Sequence, residues 1–161
     1  MSMERIINLF SIGIILILIL SCSEELVPTP YTYTKVFTGE KSKTWKIKFL
    51  EETFEGKVIS RFSVSCAADD KYTFYAKSEH TLEVLTGTLK CDSTEPALIK
   101  DVWTFTNASA TLTMILPFFS VNSTVPLIVR AADDDEMVLE IFLDEENKES
   151  YRIHFEVIDE N

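Results

Sequence analysis

The dominant pattern in this chain is a period of two. From Thr44 onward, apolar and polar residues alternate in short runs: Trp45-Ile47-Phe49 against Lys46 and Lys48, Leu112-Met114-Leu116, Met137-Leu139-Ile141-Leu143, and Tyr151-Ile153-Phe155-Val157. Successive side chains of a strand point to opposite faces, so each run buries one face and wets the other. Val58 to Val64, Tyr72 to Tyr75, Leu82-Val84-Thr86, Trp103-Phe105 and Leu127 to Val129 read the same way, which makes nine expected strands. Turn-forming clusters separate them at Glu51–Glu55, Ala67–Lys71, Asp92–Pro96, Asn107–Ser109, Asp133–Glu136 and Asp144–Lys148. No stretch beyond residue 21 carries a convincing helical period, although short helical turns fit within the loops. Regularly spaced short strands predict an all-β chain, either an antiparallel barrel or a β-sandwich.

The first 21 residues are of a different kind. One base, Arg5, stands beside Glu4, and the fifteen residues Ile6 to Leu20 are mostly Ile and Leu, with Asn8, Ser11 and Gly13 as the weak spots. A helix of that length rises about 22 Å, short of the hydrocarbon thickness of a bilayer. A charged start, a short apolar core and a small residue before the cut are the marks of a secretory signal rather than of a membrane span. Ile19-Leu20-Ser21-Cys22 resembles the lipobox of bacterial lipoproteins. That resemblance implies a diacylglyceryl thioether on Cys22, cleavage before it and acylation of the new amino group. A Cys suits that position because its thiolate is nucleophilic enough to take the lipid. Several acyl chains, at roughly 0.8 kcal/mol per buried methylene, hold a protein on a membrane almost permanently. Ser23-Glu24-Glu25 is similar to the short acidic signals that send lipoproteins of the Bacteroidota to the outside of the outer membrane. An acidic patch after an anchor also has a plain reading as solvation.

Cleavage before Cys22 leaves 140 of 161 residues, enough for one domain with a modest core. The net charge stays at −11, because Glu4 and Arg5 leave together. So acidic a chain argues against a nucleic-acid partner, which requires a basic face, and disfavours electrostatic docking on anionic lipids. Gly39, Gly56 and Gly87 are the only glycines left, which excludes a glycine-rich phosphate cradle. With Cys22 taken by lipid, Cys66 and Cys91 remain. An exported chain usually pairs two such cysteines, the alternative being two free buried thiols. No His or Cys lies at zinc-ligand spacing, so no metal and no cofactor are expected. Residues 22–42, with Pro28, Pro30 and several threonines, read as a lipid-anchored flexible tether whose Tyr31, Tyr33 and Phe37 can pack as an edge segment. The expected organisation is thus a signal peptide over 1–21, a tether over 22–42 and a β domain over 43–161.

Within that domain the order of features resembles a family. Lys43-Thr44-Trp45-Lys46-Ile47, Cys66-x-x-Asp69-Asp70-x-Tyr72-Thr73-Phe74, Cys91-Asp92, Trp103-x-Phe105 and Leu112-Thr113-Met114 are similar to the lipocalin-like domains of secreted Bacteroidota lipoproteins. The similarity spans about residues 41–158. It implies an up-and-down eight-stranded barrel and a Cys66–Cys91 bridge. One departure is the segment Ala76–His80, which lacks the glycine such domains commonly place after the Thr-Phe strand. The family supplies a fold and no ligand.

Residues that could carry chemistry are few. His80 and His154 are the only histidines. His154 is opposite in parity to the apolar set of its strand and is expected to face solvent, and His80 sits beside a turn. No nucleophile–base motif is present, so no catalytic residue is assigned and the chain is read as no enzyme. Asp133-Asp134-Asp135-Glu136 lacks the spacing of a calcium loop and reads as a solvated hairpin turn. Met114 to Val121 is apolar without clean alternation and is broken by Pro117: an exposed patch, or a strand covered on both faces and ended by proline. Asp92-Ser93-Thr94 is similar to a short O-glycosylation acceptor of the same bacterial group. Two functions follow as expectations. The first is a surface-exposed, outer-membrane lipoprotein whose barrel is a binding or interaction module for an envelope protein or a glycan. The second is a carrier holding a small apolar ligand inside the barrel, lined by Trp45, Phe74, Trp103, Phe105 and Met114.

Overall fold

The computed structural model describes residues 30–144 and 146–161, with side chains from residue 34. The signal segment and Cys22 lie outside the described residues. A helix α1 (Pro30–Thr38) precedes ten strands: β1 (Ser42–Phe54), β2 (Lys57–Phe62), β3 (Lys71–Tyr75), β4 (Thr81–Leu85), β5 (Leu98–Val102), β6 (Thr104–Thr106), β7 (Thr111–Leu116), β8 (Ser120–Ala132), β9 (Glu136–Phe142) and β10 (Glu149–Glu160). All pairings are antiparallel, and the hydrogen-bonded path runs β5-β4-β3-β1-β10-β9-β8-β7-β6, with β2 attached to β1. The first and last strands therefore pair with each other, and the sheet nearly closes into a barrel.

Nine strands lie on that path where eight were expected, and the difference has a local cause. β10 pairs with β1 along its whole length, so β2 and β3 share the other edge of β1. They occupy one position in the barrel, interrupted by an excursion over 63–70. In the same way β5 and β6 are consecutive and separated only by Trp103. β5 pairs with β4 while β6 pairs with β7, so this one stretch of chain joins the two ends of the sheet. Counted by position, ten strands fill eight places in simple up-and-down order. β5 was not expected, because Leu98-Ile99-Lys100-Asp101-Val102 alternates weakly and only Ile99 is buried. The cluster at Glu51–Glu55 is mostly strand: β1 runs through to Phe54, and the turn itself is Glu55-Gly56, both at positive φ (49° and 76°). Two residues at positive φ make the hairpin turn whose twist matches that of the strands.

α1 corrects the tether expected over 22–42. Pro30 is pre-set for the first helical position, and Gly39 ends the helix at φ 59°, its N–H donating to the Lys35 carbonyl at 2.7 Å. Helix propensity is poor in this threonine-rich stretch. Burial compensates: Phe37 is fully buried at one end of the barrel, and the Trp45 indole N–H donates to its carbonyl at 2.9 Å. The folded domain thus begins at Pro30 at the latest, with α1 closing the end of the barrel where β1 starts.

Candidate interaction surface

The barrel interior is filled at the helix end. Phe37 sits 6.5 Å from Phe74, 6.0 Å from Trp103 and 5.3 Å from Phe105 between ring centroids, spacings at which aromatic pairs attract edge to face. Trp45, Phe74, Trp103 and Met114 are each at most 1% exposed. Four of the five residues expected to line a ligand cup are therefore packed core. Phe105 is half-buried and lines a surface cleft of about 420 Å³ with Asn107, Ala110, Val129, Arg130, Ala131 and Ala132. Lys43 also points inward; it is buried and reaches the β8–β9 turn, with Nζ 3.1 Å from the Asp134 carbonyl and 3.2 Å from Glu160 Oε2.

The opposite end is closed by a polar latch. Cys66, in a 3₁₀ turn (Ser65–Ala67) of the excursion between β2 and β3, is bridged to Cys91 in the β4–β5 loop, with Cα atoms 4.8 Å apart. Two adjacent aspartates add backbone anchors to the same loop. The Asp70 carboxylate accepts from Gly87 N–H at 2.9 Å, and that of Asp69 accepts from the N–H of Thr88 at 2.7 Å and of Leu89 at 3.3 Å. A Cβ at Gly87 would lie 1.9 Å from the Asp69 carboxyl carbon, so any side chain there displaces that carboxylate from its backbone anchors. The two carboxyls shift in opposite directions. Burial pushes Asp69 up, but the bonds from Thr88 and Leu89 outweigh it and hold its carboxyl below the usual range. Burial raises Asp70, the Gly87 N–H offsets part of this, and the charges of Glu95 and Asp69 add to it. The Tyr72 hydroxyl, fully buried beneath, is raised well above its ordinary range by burial and then by Asp70 and Glu95. The Cys-x-x-Asp-Asp-x-Tyr segment is thus the framework of this lid.

The outer face of β1, β8, β9 and β10 carries two carboxylates clamped by bases. Glu140, 1% exposed, is held by Arg130, by Arg152 Nε at 3.1 Å and by the Ser150 hydroxyl at 2.6 Å, which in turn meets Thr53 Oγ1. Glu51 accepts from Arg61 at 2.5 Å and lies 3.1 Å from His154 Nε2. In both, burial raises the carboxyl but the bonds to Arg61 and His154, or to Ser150 and the arginines, win and lower it. His154 stacks on Phe49 at 4.2 Å, with the Arg61 guanidinium 4.3 Å from that ring. This is a charged, rigid exterior whose hydrogen-bonding groups are already spent on one another.

Beside it the β1–β2 hairpin offers free capacity. β2 pairs only with β1, so its second edge has no strand partner among the described residues. Its side chains are nearly all exposed, including Ile59 at 60%, Val58 at 48% and Phe62 at 39%, and Phe54 at the end of β1 is exposed too. A strand edge with unpaired N–H and C=O groups and protruding apolar residues is a template for an added strand or a flat partner. The pattern over 58–64 marks a strand but gives no sign that one edge stays open, because strand pairing is not legible locally.

His154 faces outward, as its parity implied, and is spent on Glu51. His80 stacks on Trp103 at 4.6 Å, accepts the Trp103 N–H on its carbonyl, and lines a cleft of about 480 Å³ between α1 and the β3–β4 turn. The structure does not bring the two histidines into one site. Asp133–Glu136 forms the β8–β9 turn, with Asp133 Oδ1 accepting from the N–H of Asp135 and Glu136 at 2.9 and 2.8 Å. Met114–Leu116 is buried strand, and Pro117 is buried too; the chain then turns, leaving Phe119 38% exposed. In Asp92-Ser93-Thr94 the Asp92 carboxylate accepts from Thr94 N–H at 2.7 Å, making an exposed turn. No family model and no curated protein matches this chain.

Proposed function

We propose that this chain is a non-enzymatic lipoprotein of the outer membrane, anchored through Cys22 and facing the cell exterior, whose lipocalin-like barrel acts as an interaction module for another envelope protein or a glycan. The apolar run ending in Ile19-Leu20-Ser21-Cys22 supports the address. One observation carries the choice of an interaction module over a carrier: the barrel interior is occupied by the chain's own aromatic residues, while an apolar strand edge at β2 stands outside. Recognition then runs over the exterior. The carrier reading rests on the Phe105 cleft, whose volume suits a small ligand but whose lining includes Asn107 and Arg130.

The test is made on protein expressed in its own host. Incorporation of an alkynyl palmitate label, lost in Cys22→Ser, is the expected result for the anchor; unlabelled wild-type protein overturns it. A photo-crosslinking amino acid at Ile59 should yield a defined adduct with an envelope component that the same group at Lys100 does not. Native mass spectrometry that instead finds a retained small apolar molecule, with no adduct at Ile59, decides for the carrier.

A further inference from the structure

We infer that the barrel stands with its helix-closed end toward the lipid surface, so that the disulfide-latched end and the β1–β2 hairpin are the parts presented outward. The inference rests on the lipid-anchor reading of Cys22 and adds what that reading leaves open, the direction in which the domain faces. Had residues 22–42 been a tether, the domain could have turned freely. The structure shortens the tether: α1 begins at Pro30, only eight residues after Cys22, and is built into one end of the barrel by Phe37 and the Trp45–Phe37 hydrogen bond.

Two lengths decide the matter. Eight residues span at most about 28 Å even when fully extended. β1 and β8 each have 13 residues. At roughly 3.3 Å per residue and a barrel tilt of about 40°, such strands make a barrel some 30 Å tall or more. For the hairpin end of β1 to touch lipid, the attachment point at the helix end would have to stand that height, about 33 Å, above the membrane. The height is set by the 13-residue strands and not by the five-residue β3, β4 and β5 under the latch. It exceeds the reach of the chain. The helix end meets no such obstacle. Around it lie Lys35, Lys77 and His80 but also Glu40, Asp134 and Glu160. Mixed charge of this kind gives little net attraction to anionic headgroups, so the short anchor and not electrostatics sets the orientation, and added salt should leave it unchanged.

The experiment uses the full lipidated chain in vesicles of phosphatidylethanolamine and phosphatidylglycerol containing a headgroup-labelled quencher lipid. Single cysteines are introduced at exposed positions and labelled with a fluorophore without reductant, so that Cys66 and Cys91 stay bridged. Lys77→Cys marks the helix end and Lys57→Cys the hairpin end. The expected result is quenching several-fold stronger at position 77 than at 57, unaltered by high salt. Inserting fifteen Gly/Ser residues after Val27 should bring the two positions close to equal. Comparable quenching with the natural tether, or unequal quenching that survives the insertion, overturns the inference. If the purified chain carries no acyl mass and does not float with vesicles, the anchor reading fails, and the orientation falls with it; an anchored chain quenched equally at both positions refutes the orientation alone.

Discussion

The two ends of the barrel are closed by opposite physics. At the helix end the plug is apolar: Phe37 is inserted among Phe74, Trp103 and Phe105, and the only polar tie from Trp45 goes to a backbone carbonyl. At the latched end the closure is covalent and polar: a disulfide, and carboxylates of Asp69 and Asp70 on three backbone N–H groups. An apolar plug draws its strength from area removed from water and is indifferent to pH and redox state. A latch of carboxylates and a disulfide is sensitive to both, and it leaves the apolar β2 hairpin beside it uncovered. That difference supports the proposed reading, in which the helix end is structural and the hairpin beside the latch is free for a partner.

The largest effect is expected at the plug. Phe37→Ala removes a fully buried ring and should cost about 3–5 kcal/mol in urea unfolding. A loss under ~1 kcal/mol would return residues 30–38 to the status of a dispensable tether. Replacing Cys66 and Cys91 by Ser opens a loop with a sequence separation of 25, and on the chain-entropy model should cost about 3.5 kcal/mol while leaving the barrel assembled by circular dichroism. Gly87→Ala forces a Cβ into the Asp69 carboxyl and should cost about 1–3 kcal/mol, with hydrogen exchange quickening in the 86–97 loop and not around α1.

The smallest effects are those of pH. Glu140 and Glu51 have carboxyls lowered in the fold, so their contribution is present above the unfolded glutamate pKa and is lost as pH falls through the lowered folded value. Acid titration of stability should therefore steepen below about pH 4, and Glu140→Gln should flatten that slope. Asp70 has the opposite sign. Its carboxyl is raised, so its ionisation opposes folding above the unfolded aspartate value, and the penalty is relieved as pH falls through that range. Asp70→Asn keeps an acceptor for the Gly87 N–H and should leave stability at pH 7 unchanged or slightly higher. A marked loss there would mean that the charge itself holds the latch.

Much of the barrel is legible in the order of residues. Alternation in 45–47, 112–116, 137–141 and 151–155 places Trp45, Met114, Leu139 and Phe155 inside and His154 outside, because a strand's side-chain period is set by the backbone. Phe49, expected on the inner face with Trp45 and Ile47, is turned outward against His154 by a register shift between Ile47 and Phe49 that brings Leu50 inside. Glu140 shows where that reading ends. Its parity puts it outside, yet it is buried, because Arg130 and Arg152 arrive from neighbouring strands 10 and 12 residues away. α1 is not legible in the sequence because nine residues with few strong helix formers carry little local signal and owe their helix to the burial of Phe37. Local pattern is enough to decide strand identity, face and the all-β class, since these depend on neighbours two residues apart. Closure through Trp103, the plug, the latch over Gly87 and the open edge of β2 depend on which distant strands meet. Only the tertiary structure decides those, because the free energy of such contacts belongs to pairs that no local window contains.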